Sequence, residues 1–447
     1  MLLRGALTER DRKDTFATDW VIVFQMLRDV LDKLEDPKLE GAGVKDLPHD
    51  HPAGSKDITA MPEAWRRGYF ESLLAYAKAS EHVDGWVRDK TRGIMFPPEV
   101  VVGPSNPKPK PIPPGAKSAP REEDCEPTGF PSPDELYLKL LSTDGFTSRQ
   151  RMEAALSYAS WLEYKQLIGP ASIIYEDAVN IAIEEKYTPG APVLLNPKTG
   201  VLNEKAGKPS ANLLTSLTAL ATFKARHDDV SSALPIMISI LKARRSLPLM
   251  STQSPLIPLA VGGDFGENWG YKIWNMAQAL LKPPEYPPPP DDGTSPPVRD
   301  AKELCEEAAL HLHIGEIMYT AQNAAREEGI GWTREAVDIA EEQLHKLGRA
   351  TKDTAAKTTC RECLSTGLDN WATMVARLVD EEERKKASGL STKSSSSWFG
   401  LWGDGKTEEH GRWAAEEKVV KERLRRAREL LEDLEPSGRP ISSVFKV

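Results

Sequence analysis

Hydrophobic residues recur every three to four positions through most of the chain, which is the period of amphipathic α-helices. One such seam near the start runs through Trp20, Phe24, Leu27, Leu31 and Leu34. Asp19 is placed to cap this helix and Pro37 to end it. Patterns typical of strands are scarce, with short extended candidates only near Val100 and Leu194. The pattern predicts an all-α protein.

Proline, glycine and serine concentrate in a few stretches that divide the helical pattern. The stretch VVGPSNPKPKPIPPGAKSAPREEDCEP is so rich in proline that its backbone must stay extended, as a strap or linker. Long loops follow from Thr188 and from Pro248, and a serine-rich stretch follows Ala387. We therefore expect an N-terminal helical segment (1–97), the strap (98–130), a helical repeat domain (131–385), a flexible tether (386–407) and a C-terminal helix (408–435).

The helical body contains paired helices with the tetratricopeptide pattern, in which alanines allow close crossing and bulky residues fill the groove beside them. The predicted packing positions of two good copies and a looser third are Tyr158, Leu162, Ala171, Tyr175, Ala178, Leu217, Ala221, Ala233, Met237, Ile240, Gly315, Ala336 and Ala340. The copies are unevenly spaced because long loops separate them. We expect a TPR-like α-solenoid of irregular hairpins with long proline-rich loops; an irregular helical bundle is the alternative.

Stacked hairpins of this kind leave a groove that binds a peptide or an unfolded segment. The first helix of each hairpin lines the groove in such arrays, which makes Asn212, Thr215 and Arg226 predicted partner contacts. A second set of candidate contacts is the aromatic cluster of the serine-rich tether, Trp398, Phe399 and Trp402.

Four segments follow one another along the chain: the proline-rich strap, FTSRQRMEAALSYASWLEYKQL, LLTSLTALATFKARHDDVSSALPIMISILKARRSLP and GEIMYTAQNAAREEGIGWTREAVDIAEEQL. Their order and their sequences resemble those of a fungal family of mitochondrial tetratricopeptide proteins. The resemblance covers roughly residues 90 to 380. It implies a non-enzymatic adaptor at the mitochondrial inner membrane, which delivers unfolded substrates to the i-AAA protease. That family carries a targeting region and a membrane anchor; we recognise neither here, which leaves two interpretations open, an incomplete chain start or a soluble homologue.

Composition narrows the partner classes. The net charge of −9 disfavours nucleic acid as the main partner. No run of 18 apolar residues is present, so the chain as written is expected to be soluble, with membrane contact left open. No phosphate-binding loop, dinucleotide fingerprint or hydrolase elbow occurs, and we expect no cofactor and no metal. Polypeptide is the expected partner.

The four cysteines, Cys125, Cys305, Cys360 and Cys363, are too few for a disulfide scaffold and are typical of a reducing or mixed compartment. Cys360 and Cys363 form the single CxxC, which we interpret as two thiols on one helix face. The competing hypotheses are an enzyme that uses this dithiol and a structural subunit of a larger complex. His311 and His313 lie two residues apart and face different directions on a helix, so they cannot chelate one ion together.

Overall fold

The computed structural model describes residues 2–11, 19–48, 50–112, 118–184, 193–196, 198–249, 289–321, 325–348, 353–387 and 411–434. These residues are mostly helical, which confirms the all-α class. The helices are α1 (Leu2–Arg10), α2 (Trp20–Glu35), α3 (Glu63–Val83), α4 (Pro133–Ser142), α5 (Ser148–Tyr164), α6 (Ile168–Glu184), α7 (Ala211–Arg226), α8 (Val230–Arg245), α9 (Ala301–Thr320), α10 (Ala325–Leu347), α11 (Thr354–Ala387) and α12 (Arg412–Leu434). Short strands are β1 (Lys45–Asp46), β2 (Lys56–Asp57), β3 (Val87–Asp89), β4 (Met95–Phe96) and β5 (Cys125–Pro127).

Packing divides the chain into two compact units. The first comprises residues 1–187 and 258–294, and the second comprises 188–257 and 295–447. Within each unit, the extensive contacts of a described helix are with helices one or two positions away along the chain. This neighbour-to-neighbour packing is what a chain of helical hairpins produces.

The second helix of the first unit, α2, has ends that the sequence predicts correctly. The Asp19 carboxylate accepts hydrogen bonds from the Val21 and Ile22 amides, and α2 ends at Glu35, two residues before Pro37. The apolar seam of α2 then packs on α3, where the Phe24 and Tyr76 rings lie 4.4 Å apart.

The proline-rich strap is an integral part of the first unit. Its strand β5 pairs antiparallel with β3, which also pairs with β4 in a three-stranded sheet. At the end of the strap, the Phe130 ring lies 4.4 Å from that of Phe24. The strap therefore pairs with a strand of the N-terminal segment and contacts α2 within the same unit. The predicted extended residues near Val100 and Leu194 form isolated bridges, Val102 to Arg121 and Leu195 to Leu202.

The hairpins α5–α6 and α7–α8 share one design at an offset of 62 residues. Each has a three-residue turn whose middle residue is left-handed, Gln166 (φ 62°) in one and Asp228 (φ 64°) in the other. Buried positions coincide at the same offset, as in Tyr158 with Leu220, Ala171 with Ala233 and Ala178 with Ile240. The same local fold is therefore built twice, once in each unit.

The third hairpin, α9–α10, crosses at two glycines. A Cβ atom on Gly315 would lie 2.8 Å from the Gly329 carbonyl oxygen, and one on Gly329 would lie 2.6 Å from both the Gly315 carbonyl oxygen and the Tyr319 amide nitrogen. The two backbones therefore approach so closely that only glycine fits at the crossing.

The last helix, α12, completes a fourth hairpin with α11. Its buried Val420, Ala427 and Leu431 join the core cluster that contains Trp371 and Met374 of α11. Two ion pairs show that α12 runs in the same direction as α10: Arg412 pairs with Glu327, and Arg423 pairs with Asp338. The second pair lies eleven residues further along both helices. α12 is therefore the helix that pairs with α11.

The glycine crossing makes a direct prediction. Gly329→Ala should destabilise the protein by about 2–3 kcal/mol, because the added Cβ meets backbone atoms that cannot move aside. Gly331→Ala on the same helix is the matched control. Apart from the adjoining backbone of its own helix, nothing lies within 4 Å of a Cβ added there, so the variant should be unchanged or up to about 1 kcal/mol more stable. Urea unfolding of the full chain followed by circular dichroism measures both. Equal effects of the two variants would refute the close crossing.

Candidate functional site

The predicted repeat-packing residues all lie in the interior of the helical pairs. Every one of them is buried: Tyr158, Leu162, Ala171, Tyr175, Ala178, Leu217, Ala221, Ala233, Met237, Ile240, Gly315, Ala336 and Ala340. Their burial is what the tetratricopeptide pattern requires, although other tight helical pairs require it as well. Their assignment to that pattern stays a prediction.

The predicted partner contacts divide into three groups. Thr215 and Arg226 are exposed on α7. Asn212 was predicted to contact a partner, and this prediction is wrong because the residue is only 3% exposed. Its spacing of four from Ser216 places both residues on the buried side of α7. Trp398, Phe399 and Trp402 lie outside the described residues.

Three threonines form a stripe along α7, which we call the threonine face: Thr215, Thr218 and Thr222. Thr215 is exposed and the other two are half-buried. Each hydroxyl donates to the carbonyl oxygen four residues earlier, at 3.0 Å to Ala211, 2.7 Å to Leu214 and 2.8 Å to Thr218. Because the hydroxyl protons are used within the helix, the face presents methyl groups and hydrogen-bond acceptors without charge.

A second exposed surface lies in the first unit, at the turn between α5 and α6. Tyr164, Leu167 and Ile173 are 76%, 47% and 60% exposed, and we call them the apolar turn. The Tyr164 ring stacks on that of Trp161, with centroids 5.7 Å apart, and the Lys165 ammonium lies 5.2 Å from the Trp161 ring centroid. Sequence reasoning missed this surface, because the apolar residues extend the helical seams on either side without a break in the pattern.

The second unit also contains an ionic network that joins α8 to α9 and α10. Glu307 of α9 is 3% exposed and accepts two hydrogen bonds, from Arg245 Nε at 3.0 Å and from Arg299 Nη2 at 2.6 Å. One turn earlier, Glu303 binds Arg244, which is also 3% exposed. Burial of Glu303 raises the pKa of its carboxyl, and the Arg244 charge opposes that shift. These pairs satisfy charges inside a helix interface, which is a structural task.

His311 lies at the end of this network and is fully buried. Arg245 Nη2 donates to His311 Nε2 at 2.9 Å, which assigns the ring proton to Nδ1. Nδ1 has no hydrogen-bond partner among the described residues, and Glu335 Oε2 lies 3.8 Å from it. Burial lowers the pKa of His311; the Arg245 charge also lowers it, while Glu335 and Glu307 oppose the shift. The folded protein therefore holds this imidazole neutral.

α12 carries a basic run, several members of which form ion pairs; its residues are Lys418, Lys421, Arg423, Arg425, Arg426 and Arg428. Arg423 pairs with Asp338 and Glu341 of α10, and Arg425 and Arg426 both pair with Glu422 of their own helix. With these partners, the run behaves as the solvated face of a capping helix rather than as a basic patch for an acidic partner.

The cysteines do not form the predicted pair of helix-face thiols. Cys360 of α11 is joined by a disulfide to Cys305 of α9, and Cys363 remains a buried thiol one turn further along α11. Burial raises the pKa of the Cys363 thiol to about 12. Cys125 is a half-buried thiol on β5. The sequence spacing predicted two free thiols on one helix face, whereas the fold brings Cys305 and Cys360 together across two packed helices.

Among the described residues, no group of three or more histidine, cysteine or acidic side chains is placed to hold a metal ion. The helices in the described part of the chain are also too short or too polar to cross a membrane.

Comparisons with known proteins gave no match: neither family models, curated proteins nor solved structures resemble this chain closely enough to assign a family.

The neutral state of His311 makes the stability of the fold pH-dependent. Because its folded-state pKa is lowered, its contribution is fully present above about pH 6.5 and is lost as the pH falls below that value, where the unfolded state binds the proton first. His311→Gln should remove this component, which amounts to at most about 1.4 kcal/mol per pH unit.

The measurement is urea unfolding of wild type and variant between pH 5 and pH 7.5. His345→Gln, on the exposed side of α10, controls for the loss of a histidine and should change the slope less. If His311→Gln and wild type lose stability in parallel as the pH falls, His311 is not the group that titrates.

Proposed function

We propose that this chain is a non-enzymatic protein-binding adaptor, in which stacked helical hairpins present their first helices to an extended or unfolded polypeptide. The proposal rests mainly on the helical hairpin that recurs at an offset of 62 residues. The hairpins α5–α6 and α7–α8 share the position of the left-handed turn residue and the buried positions. Recurrent hairpins of this kind form the tetratricopeptide arrays, which bind peptides along the first helices.

The exposed chemistry of α7 supports a polypeptide as the ligand. The threonine face offers acceptor oxygens to backbone N–H groups and methyl groups to apolar side chains, and the three threonines themselves are uncharged. An unfolded segment exposes both kinds of group, whereas a folded protein has already used most of its backbone N–H groups internally.

An enzyme that uses Cys360 and Cys363 as a dithiol is the weaker candidate. Cys360 is bonded to a different cysteine, and the Cys363 thiol is buried with a raised pKa. A reactive dithiol requires an accessible sulfur with a lowered pKa, which is the opposite environment.

Binding can be tested with one client protein in two states, a fluorescein-labelled protein that is permanently unfolded by reduction and carboxymethylation, and the same protein in its native fold. Fluorescence anisotropy should show that the chain binds the unfolded form at least tenfold more tightly. Thr215→Arg with Thr222→Arg should weaken that binding at least tenfold, because the long charged side chains cover the acceptors and methyl groups of α7.

Ile238→Arg is the matched control, since it places the same side chain at a 37% exposed position on α8 of the same hairpin and should leave affinity unchanged. Tyr164→Ser with Leu167→Ser tests whether the apolar turn contributes. Circular dichroism melts show that each variant is folded. Equal affinity for the folded and unfolded client, or full binding by the double arginine variant, would contradict the proposal.

The resemblance supports the finer proposal that the client is delivered to an AAA protease of the mitochondrial inner membrane. Affinity capture of the full chain from detergent-solubilised mitochondria should recover such a protease, and capture with the double arginine variant should recover less unfolded client. Recovery of only soluble metabolic enzymes would count against this role while leaving the binding measurement intact.

A further inference from the structure

The second unit contains a covalent bond between two helices that belong to different hairpins. Cys305 lies on α9, the first helix of the third hairpin, and Cys360 lies on α11, the first helix of the fourth. The two cysteines are 55 residues apart, and α9 packs directly against α11. The bond therefore adds a covalent link to a contact between neighbouring hairpins that is otherwise non-covalent.

Both sulfur-bearing residues are fully buried, with 0% exposure. A disulfide forms or breaks when a thiolate attacks it in line, so an external thiol needs access to one of the sulfurs. In the folded protein that access requires α9 and α11 to separate. The bond must therefore form before this contact closes, and once formed it is protected from reductants in solution.

The remaining thiol of the second unit, Cys363, does not exchange readily with the Cys305–Cys360 disulfide. Cys363 follows Cys360 by one helical turn, but it is 5% exposed and its high pKa leaves almost no thiolate at neutral pH. Exchange to a Cys360–Cys363 or Cys305–Cys363 bond is slow for the same reason. The folded surroundings of Cys363 thus protect the Cys305–Cys360 bond from exchange once it has formed.

We infer that the Cys305–Cys360 disulfide is a maturation site that clamps the third hairpin to the fourth, and that the chain acquires it in an oxidising compartment. In this step, one thiolate attacks an oxidising disulfide, either of a thiol oxidoreductase or of glutathione, and a mixed disulfide forms. The second cysteine thiolate then displaces the oxidant's sulfur. The two cysteines lose two electrons and two protons, and the oxidant gains them as two thiols.

This inference reverses the compartment expected from the cysteine count. Four cysteines in a chain of this length are typical of a reducing or mixed compartment. A fully buried bond between two hairpins instead requires an environment in which disulfides form and persist.

The test uses the full chain. Cells that make the protein are quenched in acid, denatured, and labelled with a maleimide that adds a fixed mass to each free thiol. The expected result is two labelled cysteines, Cys125 and Cys363, and four after reduction, with a disulfide-linked peptide pair containing Cys305 and Cys360 identified by mass spectrometry.

Thermal unfolding of the purified chain tests whether the disulfide stabilises the contact between the third and fourth hairpins. Wild type that is reduced in denaturant and refolded in the presence of reductant should melt about 5–15 °C below the oxidised protein. Cys360→Ser should melt near the reduced wild type and should not respond to reductant. Cys363→Ser is the matched control, because it removes a buried thiol from the same helix and should keep both the bond and the response to reductant.

Four labelled thiols in acid-quenched cells would overturn the compartment inference. Loss of the bond in Cys363→Ser would show that the pairing is wrong, and an unchanged midpoint on reduction would show that the bond does not clamp the hairpins. These results leave the proposed function untouched, since client binding is measured separately on the threonine face.

Discussion

The whole structure depends on one constraint: a single helical hairpin has two apolar sides and can cover only one of them by itself. The first and second helices of a pair close on each other, and the other side of the pair must be covered by the next element along the chain. In the second unit, α9 and α10 meet at Gly315 and Gly329 with almost no space between backbones, and α11 then packs against both. The core cluster of α9 to α12 is the result, and α12 closes its outer side with Val420, Ala427 and Leu431.

The same constraint explains why ionisable groups lie inside the helix interfaces. Where α8 meets α9, Glu303 and Glu307 face Arg244, Arg245 and Arg299 instead of apolar partners. Removing such charges from water costs several kcal/mol for each ion, and the pairing offsets most of that cost only while every partner is present. The pairs therefore add little net stability, but they penalise any other alignment of α8 on α9, since a shifted register would leave a buried charge without its partner. We interpret them as determinants of register between the second and third hairpins.

Much of this fold can be predicted from the sequence, and the reasons for the failures are physical. The helices follow from apolar periodicity, and the α2 cap follows from Asp19, because both signals are local. The hairpins α5–α6 and α7–α8 share their buried positions, and the sequence already shows one matching pair, Ala171 and Ala233, 62 residues apart. The disulfide and the α11–α12 pairing depend on contacts between distant segments, for which a single sequence carries no signal.

The candidate surface shows the same division between local and distant information. Thr215 was predicted to be exposed from its place on the first helix, and it is exposed. Asn212 was predicted to share that surface but is buried, because it lies about 60° from Thr215 on the side away from Thr218, toward the buried Ser216. A stripe is thus narrower than a list of nearby polar residues. Which polar residues of a first helix stay exposed is decided by tertiary packing, and the local sequence pattern does not carry that information.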